Sequence, residues 1–81
     1  MKLFLVIYSG LKIGGSVGPL PYGITECWVH ANEMTEKTQT AIKSGLDKDG
    51  NPIPADKMEG IKGLRFACEW RQARPELGDP A

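Results

Sequence analysis

The chain has 81 residues, of which 41% are hydrophobic, enough for one small globular domain with a thin core. Ten basic and ten acidic side chains give a formal net charge of zero. A neutral chain has no overall attraction for polyanions, so a nucleic-acid partner is disfavoured. No apolar run approaches the ~20 residues that a membrane-spanning helix needs, so no membrane partner is expected.

The first predicted element is a strand at Lys2–Ser9, KLFLVIYS. Its β-branched and aromatic residues show little alternation, which is typical of a strand covered on both faces or lying centrally under a helix. The run is shorter than the core of a secretory signal, and Lys12 stops its extension. Glycines and prolines over positions 10–23 exclude a helix and favour turns, with a hairpin about Ser9–Gly10 and a short return strand at Leu11–Ile13.

The longest predicted element is an amphipathic helix at Thr25–Ser44. Thr25 is the expected N-cap, and Gly45 is expected to end the helix in the left-handed conformation. Apolar and small side chains recur at steps of three and four, which places them on one face. The members of this stripe are Cys27, Ala31, Met34, Thr38, Ala41 and Ile42.

The segment Leu46–Gly63 is predicted to be a long loop, with a tight turn at Lys48–Asn51. A strand is predicted at Leu64–Arg71, because apolar and polar residues alternate there. Its apolar face consists of Leu64, Phe66, Cys68 and Trp70.

The predicted fold class is α+β: a single small domain with a two- or three-stranded sheet and one long amphipathic helix packed on it. Residues 1–73 are assigned to the globular domain and residues 74–81 to a frayed C-terminal tail. The order and direction of the strands are left open.

The two cysteines lie on apolar faces that are expected to pack together. Cys27 is on the buried face of the helix and Cys68 on the apolar face of the last strand, so their sulfurs could meet. A bridge closing about 40 residues would contribute on the order of 4 kcal/mol. Two buried free thiols are the alternative, because free cysteine is itself a common core residue.

Other chemical motifs are incomplete. Cys27 and His30 are three residues apart, but a structural zinc site needs four ligands, and a catalytic pair needs an exposed thiolate. The glycines at 10–18 match no phosphate-binding motif, and the calcium-like run at 47–51 continues with Pro52 where glycine is required. The chain is therefore predicted to be non-enzymatic, without metal or cofactor.

The candidate partner-binding residues are aromatic and basic. Trp28 lies at the edge of the helical stripe, where it is either a lid on the core or an anchor for a partner. Tyr22 would add to an aromatic patch. Arg65 and Arg71 would form a mildly basic strand surface for an acidic partner, or simply a solvated face.

The order of features resembles a loose class of short proteins of bacteriophages and proteobacterial prophages. It is carried by Met1–Lys2 before the apolar strand, Glu26-Cys27 opening the helix with Ala31 one turn later, and Phe66-Ala67-Cys68 in the last strand. The resemblance covers both ends and the helix but not positions 46–63, and it transfers no site residue. It implies an accessory role, as an inhibitor of host or defence machinery or as a minor virion component.

Together these observations predict a protein-binding module that inhibits or modulates a larger host or defence protein. The alternatives are a structural or oligomeric virion component and a small enzyme built on Cys27 and His30. A homodimer stays open because the core is thin. The expected location is the host cytoplasm, or the virion or periplasm if Cys27 and Cys68 are bridged.

Overall fold

The structure is a computed structural model that describes residues 1–79. It contains strands β1 (Lys2–Ser9), β2 (Lys12–Val17) and β3 (Leu64–Arg71), and helices α1 (Ile24–Ser44) and α2 (Ala55–Lys62). The strands form one antiparallel sheet in the order β2-β1-β3. The predicted α+β single domain is confirmed, with three strands and with a second helix that was not predicted.

The hairpin between β1 and β2 follows from the glycines after the first strand. Gly10 has a φ of 63°, a left-handed conformation that suits glycine at a tight turn. The return strand is longer than the predicted Leu11–Ile13, because it starts at Lys12 and continues to Val17. Its register shifts opposite Ile7 and Tyr8, so a bulge bends this edge of the sheet.

Helix α1 confirms the predicted helix, with one correction at its start. The helix begins at Ile24 with Gly23 as the N-cap, so the prediction of Thr25 as N-cap is wrong. No side chain in the described part of the chain caps this end. Gly45 ends the helix with a φ of 71°, as predicted, and its amide donates to the Ala41 carbonyl at 2.9 Å.

Helix α2 lies inside the segment that was predicted to be a long loop. The predicted turn is present, because the Asp47 carboxylate accepts hydrogen bonds from the amides of Asp49 and Asn51, both at 2.9 Å. The eight residues that follow Pro54 are helical. Met58 and Ile61 are the only half-buried residues of α2. They lie three positions apart, which is a helical spacing, but the glycines, prolines and Asp/Asn residues of the same segment obscured this signal in the sequence.

The central strand β1 separates two apolar clusters. The cluster between the sheet and α1 contains Leu3 and Leu5 of β1, Cys27 and Ala31 of α1, and Cys68 of β3. The alternate residues point to the other face, where the buried side chains are Phe4, Val6, Tyr8 and Ile13. This arrangement confirms that the unbroken apolar run of β1 is a strand covered on both faces.

The C-terminal segment covers the second face, where the sequence predicted a frayed tail at 74–81. Pro75 is buried, and the backbone of Gly78 and Asp79 forms hydrogen bonds of 2.8 Å with Ile13. The Arg74 guanidinium donates to the Ser16 carbonyl at 3.0 Å. We call residues 72–79 the strap. Without it, the apolar residues of that face would meet water, so this part of the predicted tail belongs to the domain. Residues 80 and 81 of the predicted tail lie outside the described residues.

Candidate functional site

The disulfide between Cys27 and Cys68 ties α1 to β3. Cys27 is fully buried and Cys68 is 8% exposed, with their Cα atoms 6.1 Å apart. Both described cysteines are in this bond, so of the two alternatives the structure contains the bridge. The bond fixes the first turn of the helix over the second half of the last strand.

The predicted pair of Cys27 and His30 is not brought together. The Cys27 sulfur is bonded to Cys68, and the His30 ring lies against the Tyr22 ring, with 5.2 Å between centroids. The His30 Nδ1 atom is 3.9 Å from a Glu33 carboxylate oxygen. Within residues 1–79, no group of three or more metal-ligating side chains converges.

The two tryptophans are exposed at the same end of the domain. Trp28 is 42% exposed and follows Cys27 directly, and Trp70 is 51% exposed, two residues after Cys68. Ile24, one helical turn before Trp28, is 36% exposed. We call Ile24, Trp28 and Trp70 the tryptophan surface.

Trp70 corrects the prediction of a buried apolar face on β3. The alternation is right, because Trp70 lies opposite Leu3 on the face that α1 covers. However, α1 begins near Cys68, so the strand extends beyond the start of the helix and its last apolar residue meets solvent. Trp28 is likewise exposed to solvent, and neither exposure was readable from the sequence.

Arg65 and Arg71 lie on the opposite face of β3 from the tryptophan surface. The Arg65 guanidinium stacks over the Tyr8 ring, 4.7 Å from its centroid. Arg71 donates to a Glu69 carboxylate oxygen, with Nη2 at 2.7 Å, and the Tyr8 hydroxyl donates to the other oxygen. The hydrogen bond to Glu69, followed by burial, raises the pKa of Tyr8, and the same carboxylate raises the pKa of Arg71.

The four predicted partner-binding residues therefore occupy three places. Trp28 belongs to the tryptophan surface, Tyr22 is half-buried against His30, and the two arginines are on the far face of β3. Two residues apart, Trp28 and His30 lie on nearly opposite sides of α1. Tyr22 therefore adds to no patch around Trp28, contrary to the prediction.

Two surface grooves lie along the C-terminal half of α1. One, of about 460 Å³, lies between α1 and α2, and its lining combines the apolar side chains of Ile53, Ile61 and Leu64 with charged ones, among them three lysines. The other, of about 730 Å³, runs to the turn after Gly45 and is mostly lined by polar and charged residues. Neither groove is lined by a cysteine or a histidine.

Across residues 1–79, no helix combines the length and the apolar character that a membrane span requires. Comparisons of the chain with protein-family models, with curated proteins and with solved structures found no match.

Proposed function

We propose that this chain is a non-enzymatic protein-binding module, a phage-type accessory protein that inhibits or modulates a larger host or defence protein. The observation that carries this proposal is the tryptophan surface. Exposed tryptophans concentrate at the centres of protein interfaces, where truncating one costs 2 kcal/mol or more when it is an energetic anchor. A domain with so little core leaves two of its largest apolar side chains outside it.

The disulfide supports this proposal because it makes the surface rigid. The bond to Cys68 fixes the backbone that carries Trp28 and Ile24 relative to the strand that carries Trp70. A preorganised surface loses less conformational entropy on binding than a mobile one.

The test is a pull-down from bacterial lysate with the tagged chain, read by quantitative mass spectrometry, in which wild type is compared with Trp28→Ala and Val29→Ala. Val29 is a matched control, because it is 50% exposed and adjacent but faces a different side of the helix. We expect one partner to be enriched with wild type and with Val29→Ala, and at least about tenfold depleted with Trp28→Ala. Equal recovery with a folded Trp28→Ala variant would reject the anchor.

A structural or oligomeric role is the second candidate. The outer edge of β3, which no strand within residues 1–79 pairs, favours it, because exposed strand edges also join copies of one chain. Light scattering coupled to size-exclusion chromatography separates the two roles. An oligomer that survives dilution to micromolar concentration favours the structural role, and a monomer favours the binding module.

The disulfide also supports a location in the virion or the periplasm rather than the reducing host cytoplasm, since structural disulfides persist in oxidising environments. This location is tested by acid quenching of intact cells or particles, followed by denaturation and trapping of free thiols with a maleimide, because both sulfurs are buried in the folded protein. Unmodified cysteines are expected, and rapid double modification would place the working protein in a reducing compartment.

A further inference from the structure

We propose that the outer edge of β3 is a strand-addition site, at which a partner protein inserts an extended segment that alternates apolar and acidic residues. This inference rests on the proposed protein-binding function and specifies the chemistry of the partner. In strand addition, hydrogen bonds between the two main chains supply the affinity, and contacts of alternate side chains supply the specificity.

The direction of the backbone groups in β3 follows from the sheet. The Leu3 carbonyl accepts a hydrogen bond from the Leu20 amide on the side of β1 away from β3. Backbone groups alternate in direction along a strand, so the backbone amides and carbonyls of Phe4, Val6 and Tyr8 point toward β3. There they form hydrogen bonds with the backbone of their register partners. In β3, the backbone amides and carbonyls of the intervening residues point away from β1, toward the outer edge. These residues are Leu64, Phe66, Cys68 and Trp70.

This edge is open, whereas the other edge of the sheet is partly closed. Within residues 1–79, no strand pairs with the outer side of β3, and no backbone hydrogen bond outside the sheet uses a residue of β3. On β2, both backbone groups of Ile13 are bonded to the strap, through Gly78 and Asp79. An open edge of eight residues is a ready template for another strand.

The tryptophan surface borders this edge on the helix side. Tyr22 and His30 lie on the flank of α1 that faces β1 and β2, because the chain reaches Tyr22 directly after Leu20 bonds β1. Trp28, on the opposite flank, overlooks the outer edge of β3. The side chains of an added strand that face α1 would therefore contact Trp28 and Trp70 near the end of β3, and Phe66 and Leu64 nearer its start, so apolar residues fit at every second position.

The far side of the edge is basic. Glu69 is shared by Arg71 and the Tyr8 hydroxyl, so its charge is already compensated. Arg65 is exposed and stacks on Tyr8, and no carboxylate among residues 1–79 forms a salt bridge with it. Acidic side chains of the added strand would pair with Arg65 on this side. One added strand would then contact both faces of the edge, and the resulting site includes Trp28, Arg65 and Arg71.

The test is amide hydrogen exchange of the ¹⁵N-labelled wild-type protein with the synthetic peptide acetyl-SVEVDVEVS-amide. We expect saturating peptide to slow exchange at least about tenfold at the four outward residues (Leu64, Phe66, Cys68 and Trp70). The amides of Arg65, Ala67 and Glu69 should not change, because they already bond β1. The charge-reversed peptide acetyl-SVKVKVKVS-amide should bind at least about tenfold more weakly.

The outcomes separate this inference from the proposed function. Peptide binding that shifts the tryptophan resonances without protecting the outward amides would overturn strand addition and leave a side-chain binding surface intact. Equal binding of the two peptides, or binding of neither, would also overturn it. The absence of any lysate partner would instead count against the proposed function.

A pair of variants tests the main-chain contact directly. Trp70→Pro removes one outward amide without removing a bond to β1, whereas Trp70→Ala removes the same side chain and keeps the amide. The proline variant should bind the acidic peptide about threefold to tenfold more weakly than the alanine variant. Equal affinities of the two folded variants would contradict strand addition, and the exchange experiment on wild type decides the matter if the proline variant does not fold.

Discussion

Reducing the disulfide should remove a large part of the stability of this domain. Cys27 and Cys68 are separated by 41 positions. For a loop of this length, the chain-entropy model gives a loss of about 13 cal/mol/K in the unfolded state, which is about 4 kcal/mol at 25 °C. A small domain is stable by only about 5–15 kcal/mol, and the bond lies in one of the two apolar clusters.

The assay is thermal and urea unfolding followed by circular dichroism, with and without a phosphine reductant. We expect the midpoint temperature to fall by about 16–32 °C on reduction, at about 4–8 °C for each kcal/mol. The double variant Cys27→Ala/Cys68→Ala is the control, because the reductant should leave its unfolding unchanged. A reduced protein within about 1 kcal/mol of the oxidised one would refute the view that the bridge compensates for the thin core.

Three further predictions concern the second face of the sheet. Gly18→Ala should destabilise the protein by at least about 2 kcal/mol in urea unfolding, because the φ of Gly18 is 145° and the new Cβ would lie 2.7 Å from the buried Phe4 ring. The control is Gly60→Ala in α2, where the new Cβ meets no atom of residues 1–79 within 4 Å, and this change should be neutral or stabilising. Arg74→Ala should cost about 1 kcal/mol by the same measurement, because the side chain is exposed but its hydrogen bonds hold the strap, and no change would mean that the strap is held elsewhere. The pKa of Tyr8 is raised in the folded state, so the contribution of Tyr8 to stability should be complete below pH 10 and should decrease as the pH rises through the folded pKa. Tyr8→Phe should remove that decrease. If the variant keeps the pH profile of the wild type, the hydrogen bond to Glu69 is not the cause of the decrease.

The sequence alone determined the elements whose signals are local. The alternation of β3, the unbroken apolar run of β1 and the helical stripe of α1 each depend on residues within a few positions, so their bounds were predicted within one residue of the structure. Gly45 ends α1 because a left-handed residue is needed there. The candidate bridge between Cys27 and Cys68 also followed, because two apolar faces in so small a domain have to pack together.

Tertiary structure decided the features that depend on distant residues. Helix α2 lies against α1, with Met58 and Ile61 half-buried, in a segment whose own propensities favour turns. The strap is ordered because the second face of β1 needs cover, and no pattern within positions 72–79 carries that information. The exposure of Trp28 and Trp70 depends on where α1 begins relative to the end of β3, which is set by the packing of the helix on the sheet and by the disulfide that joins them.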